Sequence, residues 1–129
     1  MRDKEERVRA AGGQVIAVAV SSIFAQQAFG RHLGVNFPLL SDWNRTVSPA
    51  YGVQYDVWRG HQGVAKRSVF VIDRQGLIRY RWVTDDALVL PDFDAAIAVL
   101  QQPIAFRRRL IFTEAEPLRR ARMPVEARL

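Results

Sequence analysis

Ser68-Val69-Phe70-Val71-Ile72, then Asp73-Arg74-Gln75-Gly76, then Leu77-Ile78-Arg79-Tyr80-Arg81-Trp82-Val83 is the stretch on which the fold turns. Its first five residues are an apolar, largely β-branched run of the kind that forms a buried strand. Its last seven alternate, which predicts Ile78, Tyr80 and Trp82 on one face and Arg79 and Arg81 on the other. Asp73 to Gly76 is hairpin-turn chemistry, with Gly76 free to take the left-handed position. Just downstream, Pro91-Asp92 opens a helix in which Phe93, Ala96, Ile97 and Leu100 share one face at the i, i+3, i+4, i+7 spacing.

Toward the amino terminus, Arg2 to Ala11 holds helix-forming residues, a Glu5/Arg9 pair at i, i+4 and a Gly12-Gly13 stop. It has no capping residue at its start, so it reads as the second half of a helix. Val15-Ile16-Ala17-Val18-Ala19-Val20 is a continuous apolar run, expected to be a parallel strand covered on both faces. Ser22 can cap a second helix with Ala25, Ala28, Phe29 and Leu33 as its buried stripe and Gly34 just past its last turn. Val35 to Leu40 is a short strand that Pro38 assigns to an edge. Asp42 opens a turn, and Arg45 to Tyr51 is a short helical segment ended by Gly52. Val53 to Val64, with Tyr55, Trp58 and His61, is the longest loop and the natural binding surface. Strands alternating with helices and closing in an antiparallel hairpin under a last helix predict an α/β fold with a mixed sheet and no internal repeat.

The 129 residues are 49% hydrophobic and 25% charged, which suits one globular domain with one core. No apolar run approaches the roughly 20 residues needed to cross a bilayer, and no apolar signal segment follows Met1-Arg2-Asp3-Lys4-Glu5-Glu6. The expected location is therefore the cytoplasm, with no membrane partner. The formal charge of +6 is concentrated at one end: seven Arg against three Glu fall within residues 103–129. With Pro103, Pro117 and Pro124 and no sustained period, that end reads as an Arg-rich extension to a domain at residues 1–102. No aromatic stacking set is interleaved with its arginines, which argues against a nucleic-acid partner.

Few catalytic constellations are available. Cysteine is absent, which removes disulfides, thiolate metal sites and any thiol mechanism supplied by this chain. His32 and His61 are too far apart in sequence for a local metal pair, and His32 is expected to be a partly buried packing residue. Phosphate-binding glycine loops and the G-x-S-x-G elbow are missing, so neither a metal nor a cofactor is expected. Asp85-Asp86 and Asp92/Asp94 are paired carboxylates, read as acids that flank a helix start and favour its dipole. Lys66-Arg67, at the entrance to a buried strand, is either a surface ion-pair partner or a functional cation.

The segments Val35-Asn36-Phe37-Pro38-Leu39-Leu40-Ser41-Asp42, Ala50-Tyr51-Gly52-Val53, Lys66 to Val83 and Leu90-Pro91-Asp92-Phe93-Asp94 resemble, in register, the peroxiredoxins of the alkyl hydroperoxide reductase/thiol-specific antioxidant family, in particular the bacterioferritin-comigratory and one-cysteine branches. The resemblance runs from about Met1 to Leu100. It implies a thioredoxin-like α/β fold, a mixed sheet flanked by helices, and reduction of hydrogen peroxide or organic hydroperoxides by a thioredoxin-type thiol reductant. In that family a thiolate in the first turn of a helix attacks the peroxide and becomes a sulfenic acid. A Pro-x-x-x-Thr-x-x-Cys segment orients the peroxide, and a distant arginine lowers the thiol pKa and stabilises the displaced oxygen. The resemblance assigns that catalytic arginine to Arg67, with Lys66 beside it as the other cation.

By the same resemblance, Met1 to Ala11 is the distal half of the cysteine-bearing helix, and the family domain is truncated here at its amino end. The nucleophile and the first strands, one of them between Val15–Val20 and Ser68–Ile72, would precede Met1. The chain alone is then expected to lack peroxidase activity. Its two flanking strands would pair directly, leave a gap for a second chain, or fold poorly. A second reading is a non-catalytic thioredoxin-like interaction module that forms a homodimer or docks on an intact peroxiredoxin through the surface around Phe37 to Trp58. A third is a nucleic-acid binder driven by the Arg-rich end.

Overall fold

The structure is a computed structural model and describes residues 2–102; the Arg-rich extension at 103–129 lies outside the described residues. Helix α1 spans Arg2–Ala10, strand β1 Ala17–Ala19, helix α2 Ile23–Leu33, strand β2 Leu39–Ser41 and the short helix α3 Val47–Ala50. A small hairpin of β3 (Val57–Trp58) and β4 (His61–Gln62) follows, then β5 (Arg67–Ile72), β6 (Ile78–Thr84) and helix α4 (Phe93–Leu100). Strands β1 and β2 pair in parallel, whereas β3–β4 and β5–β6 pair antiparallel, each as a separate two-stranded sheet. The loop expected from Val53 to Val64 is thus itself a hairpin, extended by an antiparallel bridge between Gln54 and Ala65.

Local chemistry explains where the elements begin and end. Ser22 accepts a hydrogen bond from the Ala25 amide at 3.1 Å, and Gly34 closes α2 at φ 61°. Asp92 caps α4 in the same way through Ala95. Glu5 and Arg9 form the i, i+4 ion pair at 2.7 Å, and Lys4 and Arg7 of α1 reach Asp94 of α4, holding its carboxyl below the usual carboxylate range. Gly13 allows α1 to turn tightly over α4, since a Cβ there would sit 3.0 Å from Val8 Cγ1 and 3.1 Å from Leu100 Cδ1.

Two apolar clusters build the layers. Val47, Tyr51, Val53 and Ile78 form one, packed against Val18 of β1 and Phe70, Ile72 and Val83 of the hairpin. Val8, Val15 and Ile97 form the other, with Phe37 and Leu100 against them. Strands β1 and β5 therefore lie between the same two apolar layers, with α3 on one side and the α1–α4 pair on the other. They do not pair directly: β1 is bonded to β2 and β5 to β6.

Three sequence expectations are corrected. The stripe Ala25, Ala28, Phe29 and Leu33 is exposed, and the buried α2 residue is Gln26, whose side-chain amide donates to Leu40 O at 3.0 Å. Gly30 permits the close approach here, since a Cβ at that position would sit 3.1 Å from Leu39 Cδ1. Two strands about 4.8 Å apart are simply narrower than the helix, whose diameter with side chains is about 10–12 Å, so its larger apolar residues overhang. His32 is likewise exposed rather than packed.

The third correction concerns β6. Val71 faces Tyr80 while Ile72 faces Ile78, a bulge that inserts Arg79 and turns Ile78 onto the opposite face from Tyr80 and Trp82. Ile78 joins the α3-side cluster, and Arg79, expected on a polar face, is buried against Asp73.

Candidate functional site

Residue Arg67 opens β5, opposite Thr84 of β6. Phe70 and Ile72 point into the α3-side cluster. Alternation therefore puts Arg67 on the face of Val69 and Val71, which α4 covers farther along the hairpin. The guanidinium is exposed and makes no hydrogen bond or ion pair with any described residue. It presents a planar, permanently charged fork of N–H donors with room for an incoming anion.

Lys66 is differently placed. Its Nζ lies 2.6 Å from Asp85 Oδ1 and 5.4 Å from the centre of the Tyr55 ring, and its backbone N–H donates to Val53 O at 2.6 Å. The Tyr55 hydroxyl donates to Asp85 O at 2.6 Å, Trp58 stacks on Tyr55 at 6.2 Å, and Arg59 lies 4.9 Å over the Trp58 ring. Lys66 is thus held in a structural network, and of the two adjacent cations Arg67 is the one without a partner among the described residues. Asp85 is corrected by the same geometry: it pairs with Lys66 instead of flanking a helix start.

Two buried carboxylates, neither a catalytic candidate by sequence, set the frame. Asp42 accepts from the backbone N–H groups of Thr46 and Val47 at 2.9 Å each and of Ser48 at 2.8 Å, and so caps α3. Burial works to raise its pKa, but those bonds outweigh it and hold the carboxyl below the usual range. Asp73 accepts from the Gln75 and Leu77 amides and from Arg79 Nε at 2.6 Å. Burial again opposes ionisation, and the Leu77 amide and the Arg79 guanidinium again win, lowering its pKa. The sequence marked both only as turn residues; spacing gives no signal for their burial or for the Tyr55–Lys66–Asp85 network. His61 sits exposed in β4, and among the described residues no group of three or more His, Asp or Glu is arranged to hold a metal ion.

A family model described as "AhpC/TSA family" matches residues 1–81. The chain belongs to this family, the peroxiredoxins. Among its relatives, a protein of Coxiella burnetii named as a bcp peroxiredoxin is 34% identical over 84 residues, covering 63% of this chain and 55% of its own length. Alkyl hydroperoxide reductase C of Buchnera aphidicola is 29% identical over 79 residues, covering 56% of this chain and 38% of its own. The chain thus spans about half, or less, of the length of curated relatives. In structure, a reduced peroxiredoxin of Vibrio vulnificus superposes with a TM-score of 0.69 at 18% identity, covering 78% of this chain and 66% of the other. AhpC of Mycobacterium bovis gives a TM-score of 0.66 at 24% identity, covering 89% and 62%. At these identities the likeness establishes the thioredoxin-like α/β fold of this peroxiredoxin-family chain. No described helix is long and apolar enough to cross a membrane.

Proposed function

We propose that this chain is the portion of a peroxiredoxin that supplies the activating arginine, and that Arg67 performs that role in the reduction of hydrogen peroxide or organic hydroperoxides by a thioredoxin-type thiol. The observation that carries the reading is the exposed Arg67 at the entrance to β5, unpartnered among the described residues, beside a lysine already engaged by Asp85. The solved relative from Vibrio vulnificus is described in complex with hydrogen peroxide, which supports the substrate class. The 129 residues include no cysteine, so the sulfur that attacks the O–O bond comes from outside them. Arg67 then favours the thiolate over the thiol and donates N–H groups to the oxygen displaced as the sulfenic acid forms.

The test is to sequence the DNA upstream of Met1 and express any in-frame extension that encodes Pro-x-x-x-Thr-x-x-Cys. The extended protein should consume hydroperoxide with a thiol reductant, and the 129-residue chain should not. Arg67→Ala in the extended protein should lower kcat/KM by roughly 100-fold and raise the thiol pKa, whereas Lys66→Ala should change both little. Turnover by the cysteine-free chain, or an Arg67→Ala variant with full activity, would overturn the assignment.

A second reading, docking on an intact peroxiredoxin, is favoured by two exposed apolar side chains within the Phe37–Trp58 region, Trp43 (59%) and Val57 (60%). Trp43→Ser and Val57→Ser should together abolish co-purification with a full-length relative. Failure of the unaltered chain to co-purify would end this reading.

A further inference from the structure

We infer that Thr84 is the second donor of an anion site headed by Arg67, so that a small oxyanion, or the oxygen displaced from a hydroperoxide, is held between the Arg67 guanidinium and the Thr84 hydroxyl. The inference rests on the reading of Arg67 given above and adds to it a residue from a different strand.

Strand register brings the two together. Arg67 of β5 lies directly opposite Thr84 of β6. Directly opposed residues of an antiparallel pair send their side chains to the same face, with Cβ atoms about 4.5–5.5 Å apart, so one small anion can touch both. Hydrogen bonding then shows what Thr84 has left to give. Its Oγ1 accepts from the Asp86 N–H at 3.1 Å, which holds the hydroxyl oxygen in place at the end of β6. A hydroxyl that accepts still carries one proton to donate. Among the described residues, neither that proton nor the Arg67 guanidinium is given to an acceptor.

The surroundings fix the pair and offset the charge that would oppose an anion. Asp85, next to Thr84, lies 2.6 Å from Lys66 Nζ through its Oδ1, and its carbonyl accepts from the Tyr55 hydroxyl at 2.6 Å. On the other strand the Lys66 N–H, next to Arg67, donates to Val53 O. Asp86 turns its Oδ1 to the Leu88 N–H at 2.9 Å. The backbone beside both donors is therefore tied down, and the nearest carboxylate is already matched by a lysine. Donors held in place beforehand need no reorganisation when negative charge arrives. Alternation along β6 puts Trp82, half-buried and opposite Val69, on the same face as Thr84. That flank is apolar, which strengthens hydrogen bonds to an anion and suits one that carries a short apolar group.

In hydroperoxide reduction the thiolate from outside these residues gives an electron pair to one peroxide oxygen. The S–O bond forms as the O–O bond breaks, and the other oxygen leaves as alkoxide or hydroxide and takes a proton from solvent. Thr84 donates a hydrogen bond to that leaving oxygen beside Arg67 and keeps its own proton.

The test titrates the 129-residue protein with sodium acetate against sodium chloride at equal ionic strength, read residue by residue from backbone amide and arginine Nε–H chemical shifts. Saturable shifts should centre on Arg67, Thr84 and Asp85. Thr84→Val keeps the side-chain shape without the hydroxyl and should weaken binding by about tenfold, whereas Thr84→Ser should stay within about threefold of the unaltered protein. Arg67→Gln should abolish saturation. Amide shifts away from the site, unchanged in each variant, check that the fold is kept. Full affinity in Thr84→Val, a loss in Thr84→Ser as large as that in Thr84→Val, or no saturable shift at Arg67 and Thr84 in the unaltered protein would overturn the second donor. Binding lost in Arg67→Gln but kept in Thr84→Val would strike Thr84 alone and leave Arg67 standing. Binding that survives Arg67→Gln would overturn both.

Discussion

Asp42→Ala tests the frame of the molecule most directly, because one buried carboxylate satisfies three consecutive backbone donors. Asp42 is 3% exposed, and the N–H groups of Val47 and Ser48 that it accepts are buried with it, while that of Thr46 is partly buried. Each buried donor left without an acceptor costs about 1–3 kcal/mol. Two buried donors and one that water can partly recover place the loss at about 3–5 kcal/mol, a large share of the roughly 5–15 kcal/mol that holds a domain of this size folded. Asn at this position can keep the oxygen that serves Thr46 and Val47 but not the one that serves Ser48, so Asp42→Asn should lose about 1–2 kcal/mol. Urea unfolding followed by tryptophan fluorescence measures both, with the slope unchanged if only stability is altered. Because the folded-state pKa lies below its unfolded value, the contribution of Asp42 is complete above about pH 4 and drains away as pH falls further, through the folded pKa. Asp42→Ala should therefore flatten the acid limb of the stability profile. A loss under 1 kcal/mol, or an acid limb unchanged by the substitution, would refute the capping argument.

Arg79→Leu should destabilise by about 2–4 kcal/mol, since both side chains of the Asp73 pair are only 6% exposed and the carboxylate would lose its buried partner. In an Asp73→Asn background the cost should shrink by more than 1 kcal/mol, read from a double-mutant cycle of urea curves. Lys66→Met should change stability by less than about 1 kcal/mol, because Asp85 is 80% exposed and water already solvates it. Gly13→Ala should cost about 1–3 kcal/mol and lower the melting temperature, as the new Cβ crowds Val8 and Leu100. Phe29→Ala in the isolated chain should cost well under the 3–5 kcal/mol expected of a core phenylalanine, and a loss within that range would show that α2 is covered after all.

Much of the architecture is legible in residue order because it depends on neighbours close in sequence. The cap by Ser22, the stop at Gly34, the hairpin turn closed by Gly76 and the α4 face of Ala96 and Ile97 are local chemistry, and each lies where its residues place it. The cation pair Lys66-Arg67 is visible as well, and so is the lack of cysteine, which by itself denies this chain a thiol nucleophile.

Tertiary structure decided everything that depends on what stands opposite. The apolar stripe of α2 was readable as a periodicity, but whether it is buried depends on how many strands lie beneath it, and two are too few. The alternation in β6 fails at Arg79 because a one-residue bulge reverses every facing after it, which no pattern in β6 alone announces. Only the fold separates Lys66, drawn to Asp85, from Arg67, which draws nothing within the described residues. The physical reason is common to all three: a sequence period gives the direction in which a side chain leaves its own backbone, while burial and pairing are set by a second segment distant in the chain, whose position follows from the balance of packing across the whole molecule.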